Sequence, residues 1–317
     1  MNFILIGDGA IARYHRKAIQ HVGGDLIGIV DPDKYNGGTF YNLSGPSIFP
    51  PDTVAKEATK IWKHSGDPIC VVIASPSFLH REQIKFVLNE FPADTVIICE
   101  KPAFLPWEPP IDDDKINVCL QLRYMPHLPD KADKIDVKFV RDQAYFNSWK
   151  GSPEMTGGLF FNLFIHYIDL AHILGAEFSG SVQSEGTQER VILRDFISED
   201  LEFISDPEDP RRAELEKEHK EYRTPIGTMR RSDDNHYWMN AYDELPVKRG
   251  EWAFEFDLMR IDMQACYNRM YDAILAGNGI HPKDLFYLDW ILKRNSEIFG
   301  YGRNGIGKTI KIGKELL

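Results

Sequence analysis

The sequence predicts an α/β domain followed by an α+β domain, and three observations carry that expectation. Over the first 124 residues, short β-branched runs alternate with segments of helical period, the pattern of βαβ units around a parallel sheet. Beyond Tyr124 longer strand-like runs surround one strongly apolar helix. The 317 residues are also enough for two cores, at roughly 150 residues per domain. The expected boundary lies between residues 122 and 123.

The first-domain strands read Asn2–Ile6, Asp25–Val30, Ile69–Ala74, Thr95–Cys99 and Asn117–Leu122. Between them Ala10–Val22 sets Ile11, Tyr14, Ala18 and Val22 on one helical face, and Leu79–Phe91 does the same with Ile84, Val87, Leu88 and Phe91. The stretch Ala103–Lys115 holds Pro106, Pro109 and Pro110 and then three aspartates, so it reads as a loop. In the second domain, Ile135–Val140 and Arg190–Phe196 read as antiparallel strands around a helix from Leu159 to Leu174. Ser198–Gly250, rich in charge and proline, reads as a solvated excursion with a short exposed helix. Helices are expected over Asp257–Ala276 and over Pro282–Phe299, the latter opened by a proline and able to pack back on the first domain.

Composition narrows the function. The net charge of −11 disfavours binding to a phosphate backbone, so nucleic acid is not an expected partner. No uncharged apolar run reaches the roughly 18 residues of a membrane span; the nearest, Gly157 to Gly175, carries His166, Asp169 and His172. No membrane partner is expected. The N-terminus lacks the charged and apolar regions of a signal peptide, and the expectation is a cytoplasmic protein. Cys70, Cys99, Cys119 and Cys266 are scattered, so no metal site is expected.

The first strand runs into Gly7-Asp8-Gly9-Ala10-Ile11-Ala12 and then a helix, matching G-x-G-x-x-A. In that motif Gly7 makes the tight turn, Gly9 lets a pyrophosphate reach backbone amides at the helix N-terminus, and Ala12 allows close packing. Asp31 ends the next strand, placed to accept hydrogen bonds from an adenosine ribose. Its carboxylate would repel a 2′-phosphate, which favours NAD over NADP. A second glycine motif, Gly302 to Thr309, matches a phosphate-cradling loop in form only: a helix precedes it and an extended segment follows.

Two further strand ends, Ser75-Pro76-Ser77-Phe78-Leu79-His80 and Glu100-Lys101-Pro102, bring polar groups to the edge where open α/β sheets bind ligands. Lys101 and His80 are therefore expected where nicotinamide and substrate meet. On the second-domain helix Asn162, His166, Asp169 and Ile173 follow at i, i+4, i+7 and i+11, hence on one face. The histidine reads either as a satisfied core group or as an acid/base, with Asp169 able to orient it or to contact a substrate hydroxyl.

These motifs, with Gly157-Gly158 ahead of Asn162-x-x-x-His166-x-x-Asp169, occur in the order and spacing of the Gfo/Idh/MocA oxidoreductases, and the sequence resembles that family over most of its length. Leu120-Gln121-Leu122-Arg123 and Ser148-Trp149-Lys150-Gly151 look most like the branch that oxidises C3 of UDP-N-acetylglucosaminuronic acid. The resemblance implies a Rossmann doubly wound sheet holding NAD, then an α+β domain with an open, mainly antiparallel sheet that commonly forms homodimer or homotetramer contacts. His166 would take the sugar hydroxyl proton while Lys101 stabilises alkoxide character on the same oxygen as hydride leaves for nicotinamide. Gly7, Gly9, Ala10, Ile11, Asp31, Ser75, Pro76, His80, Glu100, Lys101 and Gln121 would line the cofactor. Arg123, Trp149, Lys150, Asn162 and Asp169, with Lys101 and His166, would contact the substrate, and Arg123 and Lys150 are candidates for its diphosphate and carboxylate. The sequence departs from these relatives in two ways: the loop Ala103–Lys115 stands where they carry a helix, and Phe164 stands where they have glycine. Oxidation of a free sugar or inositol is the alternative among enzymes, and dinucleotide sensing without turnover the alternative outside them.

Overall fold

The computed structural model describes residues 1–31, 47–48, 54–126, 128, 134–141, 143–184, 228–231, 236–241, 257–260, 263–299 and 309–313, which fall into two units. The first holds Met1–Tyr124, Glu154–Gly157 and Gln264–Trp290; the second holds Met125–Pro153, Gly158–Met263 and Ile291–Leu317.

Continuous apolar runs build the first sheet. β1 (Asn2–Ile6), β2 (Asp25–Val30), β3 (Ser47–Ile48), β4 (Ile69–Ile73), β5 (Val96–Glu100) and β6 (Ile116–Cys119) pair in the order β3-β2-β1-β4-β5-β6, every pairing parallel. All residues of β1, β4 and β6 are buried, as expected of a parallel sheet covered on both faces. The chain starts in the middle, winds outward through β2 and β3, and returns to β4 on the other side of β1. That reversal makes the carboxyl ends of β1 and β4 the switch point where such sheets bind ligands.

α1 (Ala12–His21), α2 (Val54–Ser65) and α3 (His80–Glu90) belong to this unit. α2, which the sequence analysis did not assign, shows helical spacing in retrospect at Val54, Ala58, Ile61 and Trp62. On α1 the expected apolar face is out of phase. Ala12, His15, Ala18 and Ile19 are buried, while Ile11, Tyr14 and Val22 are only half-buried. The polar His15 conceals the true face because its ring nitrogens find partners inside. Ala103–Lys115 contains no helix, and the excursion is pinned by Arg81 Nε donating to the Pro109 carbonyl at 3.0 Å and the Leu105 amide donating to Glu108 at 2.8 Å. Its Ala103 and Leu105 are buried.

In the second unit β7 (Lys134–Arg141), β8 (Glu177–Ser184), β9 (Thr228–Arg231), β10 (His236–Ala241), β11 (Asp257–Arg260) and β12 (Thr309–Ile312) form a sheet in the order β11-β9-β10-β7-β8-β12. Three pairings are antiparallel, but β7 runs parallel to both its neighbours, contrary to expectation. The helical crossover between β7 and β8 returns the chain in the same direction. Ser198–Gly250 also departs from expectation: it supplies β9 and β10, and β10 lies inside the sheet. The residue range Asp257–Ala276 splits into β11 and a helix, because pairing with β9 draws its start into the sheet. The expected strand Arg190–Phe196 lies outside the described residues, as does Gly302–Lys308, while Thr309 opens a strand where a phosphate-cradling loop would need a helix.

The crossover comprises α4 (Gln143–Asn147), α5 (Pro153–Thr156), π turns over Phe160–Phe164 and α6 (Ile165–Leu174), ended by Gly175 at φ +62°. That glycine closes the helix without the Cβ clash other residues meet there. By length and composition the helical run Pro153–Leu174 could cross a membrane, but most of it is buried inside the protein, as in a core helix. Phe164 packs edge-on against Phe139 and Phe178, with ring centroids 5.1 and 5.7 Å away. A Cβ at Gly180 on β8 would lie 2.8 Å from the Phe164 ring, so this glycine makes room for the bulk that Phe164 introduces. α7 (Met263–Leu275) and α8 (Phe286–Phe299) follow, with a 3₁₀ turn over Pro282–Leu285 opening α8.

Candidate functional site

In the first unit the candidate site grows from the turn after β1. Gly7 takes φ +88°, and a Cβ there would sit 2.7 Å from the Ser75 backbone nitrogen, so the glycine lets the ends of β1 and β4 touch. Gly9 has nothing within 4 Å of a Cβ position, leaving open space above the loop. No side chain caps α1, whose N-cap is Ile11, and its first turn has no acidic residue. An open glycine beside an uncapped helix N-terminus fits a pyrophosphate. Ala12 is fully buried against the sheet, as the motif requires.

Asp31 accepts a hydrogen bond from the Asp8 amide at 2.7 Å, tying the end of β2 to this loop. Asp8 places a second carboxylate close by, and Arg16 neutralises it with Nε at 2.9 Å and a terminal nitrogen at 2.5 Å. That forked pairing is what a guanidinium favours. Sequence reading did not single out Arg16, although it stands two helical turns after Asp8.

The Ser75 hydroxyl donates to Gln83 at 2.5 Å, and Pro76 opens the 3₁₀ turn Ser77–Leu79. His80 does not offer a nitrogen to a cofactor: it is 1% exposed, with Nδ1 2.7 Å from the Pro102 carbonyl and Nε2 2.8 Å from the Ser75 carbonyl. Burial lowers its pKa, against the two carbonyls and the charges of Glu100 and Glu108, which raise it. Its place is that of a clamp between the loops after β4 and β5.

Glu100 is likewise turned inward. Its carboxylate meets His15 and the Tyr267 hydroxyl, and its second oxygen accepts the Lys101 amide at 3.3 Å. Burial works to raise its pKa, but His15, Tyr267 and the Lys101 charge hold it down to about 2. Lys101 itself is half-buried at the sheet edge, ahead of a cis peptide bond to Pro102. Gln121 is buried at the start of the turn after β6, and Arg123 in that turn donates to the Tyr287 hydroxyl at 3.1 Å.

The remaining candidates lie in the second unit. Asn162 donates to the Tyr145 hydroxyl at 2.7 Å and to the Lys150 carbonyl at 3.4 Å, which fixes the crossover against the turn holding Trp149 and Lys150. Trp149 is half-buried and the Lys150 side chain exposed. The expected single α-helical face does not extend through Asn162, since the π turns interrupt the α period ahead of His166. Single π turns in helices recur at functional sites because they re-aim the following side chains. His166 is half-buried in the first turn of α6, and Asp169 is 1% exposed. Sequence reading missed His15, Tyr267 and Tyr271, which meet only in three dimensions.

Comparison with known proteins agrees with this geometry. A family model described as oxidoreductase family, NAD-binding Rossmann fold, matches residues 1–109, and one described as oxidoreductase family, C-terminal alpha/beta domain, matches residues 134–223. The WlbA (WbpB) dehydrogenase of Thermus thermophilus, solved with NAD and UDP-GlcNAcA, is 19% identical with a TM-score of 0.54, covering 92% of this chain and 94% of that one. A myo-inositol dehydrogenase of Corynebacterium glutamicum is 13% identical with a TM-score of 0.52, covering 99% of each chain. Both likenesses bear on the fold. With the two family models together spanning more than half of its length, the chain belongs to the Gfo/Idh/MocA family of NAD-dependent oxidoreductases.

Proposed function

We propose that the chain oxidises a secondary alcohol on a nucleotide-linked sugar, C3 of a UDP-N-acetylhexosaminuronate, with Lys101 and His166 as its catalytic residues. The observation that carries this reading is the set-up of Lys101: its amide is held by a buried carboxylate at the carboxyl end of β5, one strand beyond β4, whose own end touches the open glycine loop. NAD, when bound, supplies the acceptor for the hydride lost from carbon. The ammonium of Lys101 stabilises negative charge growing on the alcohol oxygen, and the imidazole of His166 accepts its proton. Asp169, one turn on, orients that imidazole, while Arg123 and Lys150 bind the anionic groups of the substrate. The uronate is favoured by the Gln121–Arg123 and Trp149–Lys150 motifs and by a structural neighbour solved with UDP-GlcNAcA.

The test is NADH formation, followed by near-ultraviolet absorbance, across UDP-N-acetylhexosaminuronates, other UDP-sugars, free sugars and inositols. Turnover is expected with the uronates at least about a hundredfold above the free sugars, a margin that buried charge pairing can supply. Preference for an inositol or a free sugar would replace the substrate assignment, and no turnover with any alcohol would reject the dehydrogenase reading.

On the same reading Asp31 accepts hydrogen bonds from the adenosine ribose. Asp31→Ala should weaken NAD binding by about tenfold or more, the worth of a charge-assisted hydrogen bond, and narrow the preference over NADP. Calorimetric titration with both cofactors checks this, and an unchanged NAD affinity would remove Asp31 from the site.

A further inference from the structure

A buried polar cluster lies under the candidate cofactor edge, assembled from parts of the chain far apart in sequence. His15 of α1 and Tyr267 and Tyr271 of α7 are fully buried, and Glu100 at the end of β5 is 7% exposed. The His15 Nδ1 lies 2.8 Å from the Tyr271 hydroxyl and its Nε2 lies 3.0 Å from Glu100 Oε1. The Tyr267 hydroxyl donates to the same Glu100 oxygen. Tyr14 stacks on Tyr267, and the His15 ring meets Tyr267 edge-on, so apolar contacts fix these donors.

The protons of this cluster can be counted. Burial and the Glu100 charge push the Tyr267 hydroxyl well above its ordinary range, so it keeps its proton and donates. A proton on Nε2 of His15 faces the carboxylate, and the Tyr271 hydroxyl complements Nδ1 whether that nitrogen donates or accepts. Glu100 thus receives His15 and Tyr267 on one oxygen and the Lys101 amide on the other. An ionised carboxylate this deep needs such donors, since a buried charge without hydrogen-bond partners is strongly disfavoured. Ligand atoms of His15, Glu100 and Cys119 also lie within 4.8 Å of one another. Both His15 ring nitrogens are already engaged, one by Tyr271 and the other by Glu100.

We propose that His15, Tyr267 and Glu100 form a positioning relay for Lys101: the two buried donors fix the Glu100 carboxylate, which grips the Lys101 amide and supplies the negative charge that keeps its ammonium in place. The inference rests on the reading that Lys101 stabilises charge on the substrate oxygen. It assigns His15 and Tyr267 an effect on the reaction although neither touches the reacting atoms.

The test is acetic anhydride labelling of the NAD-bound enzyme across a pH series, with Lys101 read by mass spectrometry and the surface residue Lys85 as internal control. In Glu100→Gln the midpoint of Lys101 labelling is expected to fall by about one pH unit, as removal of a near counter-charge requires. In His15→Phe the labelling rate of Lys101 relative to Lys85 should change by about threefold or more. It should return toward the native value in His15→Gln, whose amide can still donate to Glu100. Lys101 labelling unchanged in folded Glu100→Gln and His15→Phe overturns the relay. Should Glu100→Gln fail to fold, Tyr267→Phe must move the Lys101 rate in the same direction as His15→Phe, and no movement there overturns it equally. Turnover separates the two ideas: labelling shifts in an enzyme that oxidises no alcohol sink the substrate reading but uphold the relay, and turnover without labelling shifts does the reverse.

Discussion

Replacing Lys101 by methionine is expected to lower kcat for alcohol oxidation by about 10²–10⁴-fold, the range general acid/base and charge-stabilising groups supply. NAD affinity should stay within about threefold, because the pyrophosphate and ribose contacts lie elsewhere. Methionine keeps most of the length of lysine and removes only the ammonium, so the Glu100 grip on the residue 101 amide survives. His166→Asn should produce a loss of similar size, by removing the group that takes the proton. The double variant should be hardly worse than either single one, since groups that act on one oxygen in one step are not additive. Steady-state turnover with calorimetric NAD titration measures all of this. Near-native turnover in either single variant would reject the mechanism, and a collapse of NAD binding in Lys101→Met would make holding the cofactor, in place of stabilising charge on the alcohol oxygen, the main role of that residue.

What could be read in the sequence was what depends on near neighbours along the chain. The turn at Gly7, the parallel strands and the helix-free stretch Ala103–Lys115 follow from residue types within a few positions of one another. The misses share a different cause. His15 has no local signal because its partners, Glu100 and Tyr271, stand 85 and 256 residues away along the chain. β10 was hidden in a charged stretch since strand pairing with β7 and β9, not its own pattern, makes it a strand. Phe164 stands in the sequence as a bare departure because the residue that makes room for its ring, Gly180, belongs to a different element. The π turns before His166 have no signature in apolar spacing, which is why Asn162 was expected on the face of an unbroken helix.

The two glycines of the loop should fail in opposite ways when each gains a methyl group. In Gly7→Ala the new carbon meets the Ser75 nitrogen at 2.7 Å, its Cα at 2.8 Å and the Ala74 carbonyl carbon at 2.9 Å, all backbone of the strand end beside it. A flexible side chain could turn away, but these atoms are fixed by the pairing of β1 with β4. The φ of +88° adds strain that alanine cannot relieve. Together they should cost about 3 kcal/mol or more, enough to lower Tm by roughly 6–12 °C in a unit of this size. Gly9→Ala meets no protein atom within 4 Å, so Tm of the cofactor-free protein should move by no more than about 1–2 °C. Its methyl instead enters the space left for the pyrophosphate, and NAD affinity should fall by about tenfold or more. Thermal melts with and without NAD separate the cases. Gly9→Ala should lose most of the NAD-induced rise in Tm, whereas Gly7→Ala should start from a lower melting point before any cofactor is added. A Gly9→Ala protein that binds NAD as tightly as the native chain would place the pyrophosphate away from the α1 N-terminus and dissolve the site built on it.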